Sequence, residues 1–232
     1  MSSFTFKQFH INQQHCAMKV GTDGILLGAW VDVSDCQCIL DMGTGTGLVA
    51  LMLAQRSHEH CQIEAVELDP LAARQAQENF QASPWHNRLH LTRQDVQTYC
   101  QQTAHQFDLI VANPPYFAQG VECKNDERAL ARYVQQSHLD WLNWAANCLS
   151  EKGKISFVLP YEAGKTLINS TSLYCIKQTD VITKIGKAPQ RMLLTFSKAS
   201  SPQEKDSLVI YDESNQYTEE FIALTKAFYL KM

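Results

Sequence analysis

The sequence predicts an α/β protein of the Rossmann-like, doubly wound type, with a mostly parallel seven-stranded sheet, an antiparallel edge strand and a C-terminal helix. Three observations predict this fold. Short apolar runs alternate with helix-like segments along most of the chain, as in successive β–α units. A glycine-rich turn joins the first such run to a helix. The run 107–112 (FDLIVA) is nearly continuous in apolar residues, which is typical of a strand buried on both faces.

The elements follow one another in a regular order. The predicted strands are 38–42, 63–68, 89–93, 107–112, 155–159, 174–184 and 192–197, with a short strand at 208–211 after a polar linker. The predicted helices are 48–55, 71–80, a helix capped by Asp95, 139–149, 161–171 and a last helix from Thr218 to about 231. Pro70 stands at the first-turn position where proline is tolerated in helices. Two strands close together near the end of the sheet favour an antiparallel edge.

Length and composition exclude several classes of protein. The chain has 232 residues, of which 45% are hydrophobic and 19% are charged, so it is too apolar to be intrinsically disordered. No apolar run approaches the ~18–20 residues of a membrane helix, and the first residues lack the order of a secretory signal. Eight scattered cysteines include no CxxC pair, which predicts reduced thiols, no metal site and a cytoplasmic location.

The glycine-rich turn is the segment 41–47 (DMGTGTG). Glycines at a strand-to-helix turn let the backbone approach a ligand closely. The spacing is GxGxG and an acid precedes it, which fits poorly with binding of a dinucleotide pyrophosphate. A neutral-to-acidic loop suits a cofactor with positive charge, such as the sulfonium and ammonium groups of S-adenosylmethionine, although a purely structural turn is the alternative. The candidate cofactor-binding residues here are Asp41, Gly43, Thr44, Gly45 and Gly47.

Further acidic residues stand at the ends of the next two predicted strands. Glu67 follows Asp41 by 26 residues, near the ~20-residue offset at which an acid meets ribose hydroxyls in nucleoside-binding sheets. Asp69 is close to Glu67 in the chain but ranks below it. Asp95 is placed to accept from the adenine amino group, with a backbone contact from Val96. Each acid alone is more often a helix cap or a solvated residue, but the three together with the glycine turn indicate a cofactor site.

The fourth predicted strand ends in Asn113, Pro114, Pro115 and Tyr116 (NPPY), the candidate catalytic residues. This motif suits methylation of a nitrogen whose lone pair is delocalised into a ring or a carbonyl group. The Asn113 side-chain oxygen and the Pro114 carbonyl can accept both N–H hydrogens and so localise the lone pair towards the methyl group. The prolines fix the backbone, and Tyr116 offers a face for a planar group. Asn113 is also counted among the cofactor-binding residues.

Together these motifs resemble the class I S-adenosylmethionine-dependent methyltransferases with the NPPY motif. More narrowly, the chain resembles the bacterial tRNA1(Val) (adenine-37-N6)-methyltransferase family over nearly its whole length. The segments that carry this resemblance are 18–30 (MKVGTDGILLGAW), DMGTGTG, VELDP, NPPYF and 217–230 (YTEEFIALTKAFYL). The resemblance implies methylation of the exocyclic N6 amine of adenine 37 in the anticodon loop of tRNA1(Val). It also implies a pre-sheet segment that closes over the methionine end of the cofactor through Lys19, Gly21, Thr22 and Asp23.

Recognition of a single-stranded RNA loop needs basic side chains and aromatic faces around the site. The net charge is −4, but the segment 152–198 carries eight basic and only two acidic side chains. A solvated surface is the alternative interpretation of these charges. The candidate RNA-contacting residues are Phe117, Lys124, Arg128, Arg132, Lys184, Lys187 and Arg191.

The expected organisation has three parts: an N-terminal cap segment over the cofactor at 1–36, a methyltransferase core at 37–199 and a C-terminal strand–helix extension at 200–232. A monomer is expected. The alternatives left open are a methyltransferase of a protein glutamine amide, a methyltransferase of an rRNA guanine amine, and a cofactor- or RNA-binding module without turnover. The short stretch before Asp41 counts against the first, and the intact acids and Asn113 count against the last.

Overall fold

A computed structural model describes residues 3–14, 19–115 and 137–231. The strands in these ranges are β1 Ser3–Thr5, β2 His10–Asn12, β3 Cys38–Met42, β4 Gln62–Glu67, β5 Leu89–Arg93, β6 Phe107–Ala112, β7 Leu149–Pro160, β8 Tyr174–Lys184, β9 Arg191–Ser197 and β10 Glu204–Tyr211. The helices in these ranges are α1 Thr22–Trp30, α2 Leu48–Arg56, α3 Pro70–Gln81, α4 Val96–Gln102, α5 His138–Asn147, α6 Tyr161–Ser170 and α7 Glu219–Thr225.

Eight of the described strands form one sheet, in the order β10-β8-β9-β7-β6-β3-β4-β5. Neighbouring strands are parallel except at β9, which is antiparallel to both β7 and β8. The predicted α/β class with a mostly parallel sheet is therefore confirmed. Two details of the prediction are wrong: the described sheet has eight strands rather than seven, and its antiparallel strand lies inside the sheet rather than at its edge.

The connection between β8 and β9 explains both differences. The chain reverses after β8 in a short turn where Gly186 has φ +78°, and β9 returns on the side of β8 that faces β7. The outer edge of β8 then pairs with β10 from Glu204 onward. The predicted strand at 208–211 is longer as a result, because edge pairing uses backbone groups and tolerates the polar residues that precede Leu208.

Successive residues of the central strands point to opposite faces of the sheet. Ile39 and Leu109 belong to an apolar layer shared with α1, α2 and α7. Leu40 and Ile110 belong to a second layer shared with α4, α5 and α6. Both faces are thus covered by helices, and polar ligands are left with the ends of the strands.

The two ends of the described chain meet on the first of these layers. The hairpin β1–β2, which the sequence did not predict, places Phe6 against the C-terminal segment, and Lys7 N donates to Phe228 O at 2.8 Å. The last helix begins as predicted, with Thr218 as its N-cap, but it ends at Thr225 rather than near 231. The chain tightens there because Phe228 N donates to Thr225 O at 2.9 Å, which turns the Phe228 ring into the core.

Candidate active site

The predicted site residues lie at the carboxyl ends of the central parallel strands. Met42, the last residue of β3, pairs with Val66 of β4 on one side and with Ala112 of β6 on the other. Gly43 and Asn113 follow directly, so the glycine turn and the NPPY segment leave adjacent strands at the same level. Adjacent strands lie ~4.8 Å apart. Both segments therefore lie at the end of the sheet where the parallel strands finish, which we call its carboxyl end. Open α/β sheets bind ligands at this end.

The glycine turn is open on one side and tightly packed on the other. Its glycines have φ values of +70° at Gly43, +57° at Gly45 and +84° at Gly47. At Gly47 a Cβ atom would lie 2.5 Å from the Phe80 ring of α3, whereas at Gly45 no described atom lies within 4 Å of that position. Glycine is therefore required at Gly47 for space as well as conformation. At Gly45 the backbone faces open volume.

Asp41 is held inside the protein beneath this turn. It is 2% exposed, and its Oδ2 accepts hydrogen bonds from Thr44 Oγ1 at 2.6 Å and from Ala50 N at 3.1 Å. Burial raises the pKa of Asp41 to about 7, and the two hydrogen bonds oppose part of that rise. The carboxyl group ties the turn to the start of α2 and titrates near neutral pH.

Glu67 links the end of β4 to the glycine turn. Its Oε2 accepts from Gly45 N and its Oε1 accepts from Asp69 N, each at 2.9 Å. Burial raises the pKa of Glu67, while the backbone hydrogen bonds lower it in part. Each carboxylate oxygen can accept more than one hydrogen bond, so Glu67 keeps capacity for ligand hydroxyl groups. Asp69 itself caps α3 by accepting from Leu71 N and Ala72 N.

Asp95 and Val96 stand where β5 leads into α4. Asp95 Oδ1 accepts from Thr98 N at 3.0 Å and from Thr98 Oγ1 at 3.2 Å, which makes Asp95 the N-cap of α4. Val96 is 1% exposed, so its side chain belongs to the core. Gln94 N donates to Glu67 O at 3.1 Å, and this bond holds the ends of β4 and β5 together.

Asn113 and Pro115 are half-buried, and Pro114 between them is buried. The imidazole of His138, at the first position of α5, donates a hydrogen bond to the Pro115 carbonyl. Burial lowers the pKa of His138, with this hydrogen bond opposing the shift, so the ring is neutral at pH 7. His138 supports the backbone within the NPPY segment, and no sequence signal marked it. The other residues predicted for the motif and the loop after it lie outside the described residues: Tyr116, Phe117, Lys124, Arg128 and Arg132.

The segment before the sheet leads into α1, and Gly21 is the N-cap of that helix. Lys19, Gly21 and Thr22 are exposed and Asp23 is half-buried. Asp23 Oδ2 accepts from Arg191 Nε at 2.9 Å. The sequence assigned these two side chains to different ligands, Asp23 to the cofactor and Arg191 to RNA, and the structure pairs them with each other.

Two glycines bring α1 unusually close to α2. A Cβ atom at Gly24 would lie 3.1 Å from Leu48, and one at Gly28 would lie 2.8 Å from the sulfur of Met52. Residues four apart share one face of a helix. The pattern GILLG therefore places the backbone of α1 against the helix that starts at the glycine turn.

Asn79 of α3 connects the N-terminal hairpin to the glycine turn. It is 2% exposed. Its Oδ1 accepts from Asn12 N at 2.9 Å, and its Nδ2 donates to Asn12 O at 2.9 Å and to Thr46 O at 2.8 Å. The sequence analysis missed this residue. Asparagine is a poor helix former, and that was the one signal available inside an alanine- and glutamine-rich helix.

Among the basic residues predicted to contact RNA, Lys184 ends β8 and Lys187 lies in the turn between β8 and β9. Lys184 Nζ donates to Asn215 Oδ1 at 2.7 Å, and Lys187 is exposed. Both lie at the same end of the sheet as Gly43 and Asn113, because β8 runs in the same direction as β3 and β6.

Within the described ranges, no three histidine, cysteine, aspartate or glutamate side chains are grouped so that they could hold a metal ion. The six cysteines in these ranges are free thiols. Of the described helices, none combines the length and the apolar character that crossing a membrane requires.

Comparison with known proteins adds a family. The profile of the methyltransferase small domain family matches residues 16–173. A tRNA1(Val) (adenine(37)-N6)-methyltransferase of Haemophilus influenzae (strain ATCC 51907 / DSM 11121 / KW20 / Rd) is 71% identical, with both chains covered completely. A protein of the same name from Pasteurella multocida is 62% identical over 99% of this chain and 97% of that one. A crystal structure of a predicted O-methyltransferase from Agrobacterium tumefaciens shares the fold, with a TM-score of 0.70 at 19% identity over 89% of this chain and 96% of that chain.

Proposed function

Because the chain belongs to the tRNA1(Val) (adenine(37)-N6)-methyltransferase family, we propose that it transfers a methyl group to the N6 amine of adenine 37 in the anticodon loop of tRNA1(Val). The observation that carries this proposal is the 71% identity over the complete length of both chains. The position of the glycine turn and Asn113 at the carboxyl ends of adjacent strands supports it, because a transferase must bring donor and acceptor together.

The methyl donor is S-adenosylmethionine, which supplies an electrophilic methyl group on a sulfonium. The residues fit such a group: the turn faces open volume at Gly45, and the buried carboxyl group of Asp41 and the half-buried one of Glu67 accept hydrogen bonds from the turn. In this proposal Glu67 accepts from the ribose hydroxyls and Asp95 accepts from the adenine amine. The remaining proposed cofactor-binding residues are Lys19, Gly21, Thr22, Asp23, Asp41, Gly43, Thr44, Gly45, Gly47, Val96 and Asn113.

The proposed catalytic groups are the side-chain oxygen of Asn113 and the carbonyl of Pro114. They accept the two hydrogens of the N6 amine, whose lone pair is otherwise delocalised into the purine ring. This arrangement turns the lone pair towards the reacting carbon and stabilises the positive charge on nitrogen until the extra proton leaves to water. Pro115 and Tyr116 complete the motif, with His138 holding the Pro115 carbonyl in place.

The RNA surface proposed for this reaction combines two segments. One is the chain after the catalytic motif, with Phe117, Lys124, Arg128 and Arg132. The other is the β8–β9 connection, with Lys184 at the end of β8, Lys187 in the turn and Arg191 at the start of β9. Arg191 acts there next to Asp23 rather than as an isolated charge. We place the reaction in the cytoplasm and propose that the enzyme is a monomer. Its three proposed parts are a cap segment at 1–36, a methyltransferase core at 37–199 and a C-terminal extension at 200–232.

The test is to supply labelled S-adenosylmethionine to total RNA and, separately, to total protein, and then to map the label in RNA digests. We expect label in N6-methyladenine at position 37 of tRNA1(Val). Label in glutamine of a protein would favour the amide methyltransferase, label in guanine of rRNA would favour the guanine amine methyltransferase, and either result would overturn the proposal.

A further inference from the structure

A cavity of about 310 Å³ lies at the carboxyl end of the sheet, away from the glycine turn. Its walls come from the start of α1, the ends of β8 and β10, the start of β9 and the C-terminal segment. Four strand spacings separate β8 from β3 in the sheet, about 19 Å at ~4.8 Å each. The cavity is therefore a separate site, and it shares with the proposed cofactor site only the segment at Thr22 and Asp23.

The lining of this cavity suits a planar ring with polar edges. Leu26, Val181 and Phe221 are buried and form an apolar floor. Tyr211 and Tyr217 form one wall, with their rings stacked at 4.9 Å and 22°. The exposed rim carries the polar side chains of Thr22, Thr183 and Gln190. Apolar and aromatic walls with a few polar groups at the mouth are typical of sites for small ring systems.

Charge in the lining distinguishes a base from a phosphate. The Arg191 guanidinium is paired with the Asp23 carboxylate at 2.9 Å, so the wall presents no net charge there. The Tyr217 hydroxyl donates a hydrogen bond to Tyr211, and this bond together with burial raises the pKa of Tyr217 to about 12, so that ring is neutral as well. A neutral aromatic heterocycle fits this lining better than an anion does. The nearby lysines, Lys184 at the end of β8 and Lys187 in the turn after it, lie outside the cavity, where a phosphate backbone would pass.

The volume and the position limit the ligand further. At ~30 Å³ per water molecule, the cavity has room for roughly ten waters, which suits one base with part of its sugar. In the sheet register Arg191 of β9 lies opposite Pro160 of β7, and Ala112, the last residue of β6, lies opposite Phe157, three residues earlier on β7. Two strand spacings of ~4.8 Å and three residues of ~3.3 Å place Arg191 roughly 14 Å from the end of β6. Stacked nucleotides rise ~3.4 Å each, so this distance spans about four nucleotides at most.

We propose that this cavity binds one unstacked base of the anticodon loop, within four nucleotides of the target adenine, and so contributes to selection of the tRNA. The inference rests on the proposed function. It assigns Tyr217, Gln190 and Thr183 to substrate recognition, apart from the catalytic groups.

The experiment combines changes in the protein with changes in the RNA. Thr183→Trp fills the cavity from its exposed rim, and Thr166→Trp, on the exposed face of α6, is the matched control. Each protein is assayed for kcat/KM on full-length tRNA1(Val) transcripts that carry a single abasic nucleotide at one anticodon-loop position other than 37. Melting temperature and S-adenosylmethionine affinity report whether each variant folds.

For the wild-type protein we expect one abasic position to lower kcat/KM about tenfold or more, the cost of losing one base–aromatic stack. Thr183→Trp should lower kcat/KM on intact tRNA to a similar extent and lose little more on that abasic transcript. Losses that multiply, or a Thr183→Trp protein as active as Thr166→Trp, would overturn the inference. If Thr183→Trp does not fold, Gln190→Ala is measured for the same coupling. Failure of the proposed function looks different, because the wild type would then leave adenine 37 of intact tRNA unmethylated.

Discussion

At the scale of single residues, the proposed cofactor site depends on two carboxyl groups at the ends of parallel strands, the buried Asp41 and the half-buried Glu67. Glu67 holds Gly45 N and Asp69 N with separate oxygens, and Asp41 holds Thr44 and the start of α2 with one oxygen. Burial raises the pKa of both acids, a cost that native proteins tolerate where a site needs it. These side chains shape the turn before any ligand arrives.

Glu67→Gln should weaken S-adenosylmethionine binding about tenfold or more. The amide has one acceptor oxygen instead of two, and its NH2 group would face the N–H of Gly45 or Asp69, while charged hydrogen bonds contribute ~1.5–3 kcal/mol each. Calorimetric titration measures the change in Kd. Glu64→Gln, three residues earlier on β4, is the matched control and should bind normally. Equal affinities of the two variants would remove Glu67 from the cofactor site.

The raised pKa of Asp41 predicts that the stability of the cofactor-free protein depends on pH. Its pKa is about 7 in the folded protein against ~3.9 when unfolded, so between these values the folded state binds a proton that the unfolded state does not. Stability therefore falls as the pH rises from about 4 through about 7, by at most roughly 4 kcal/mol.

Urea unfolding of the wild type and of Asp41→Asn at pH 5, 6, 7 and 8 measures this dependence. The variant should flatten most of the slope, because its amide does not titrate, and a residual slope of the same sign should remain from Glu67. A wild-type protein whose unfolding free energy rises from pH 5 to pH 7 as a result of Asp41 would contradict the assignment.

At the scale of elements, α1 fixes the segment before the sheet relative to the glycine turn. Gly24 and Gly28 allow its backbone to approach α2, and Asn79 joins the N-terminal hairpin to Thr46 of the turn. The segment before the sheet and the glycine turn, which are the two proposed walls of the cofactor site, therefore belong to elements that contact each other.

Gly28→Ala should lower the free energy of unfolding by ~1–3 kcal/mol, the usual cost of overpacking, because the new Cβ atom would lie 2.8 Å from Met52 Sδ and 2.9 Å from Met52 Cβ. Gly21→Ala is the control for stability, since the nearest atom to its Cβ position is Lys19 O at 3.8 Å. Chemical denaturation of both variants measures the difference. Equal stabilities would mean that α1 and α2 can move apart without cost.

The same elements show what sequence could and could not predict. The strands 38–42, 89–93, 107–112 and 174–184 were predicted with their observed bounds. For 38–42 and 107–112 the reason is that a buried parallel strand leaves a strong apolar signature. The place of β9 inside the sheet was not predicted, because pairing partners are set by tertiary contacts. Asn79 and His138 were missed for a similar reason, since their hydrogen-bond partners are backbone atoms distant in the chain. The roles of the predicted site residues remain predictions.

At the scale of the whole molecule, the residues proposed to bind the donor, the acceptor and the RNA lie at one end of the sheet, the carboxyl end. The glycine turn, Glu67 and Asn113 lie over its centre, and the cavity beside Tyr217 and the β8–β9 turn lie towards one side. The chain as a whole carries a charge of −4, so binding of RNA depends on where the basic side chains lie rather than on their sum. Binding to tRNA should therefore weaken with salt.

The central claim is that Asn113 acts on the acceptor nitrogen while the turn beside it holds the donor. Asn113→Ala tests it most directly, with Asn143→Ala on the exposed face of α5 as control, by measuring S-adenosylmethionine Kd and single-turnover methylation of tRNA1(Val) on the same samples. The account predicts a methylation rate reduced by about 100-fold or more, as for loss of a group that stabilises transition-state charge, with a nearly unchanged Kd. Normal methylation by Asn113→Ala, or loss of donor binding in place of turnover, would contradict it.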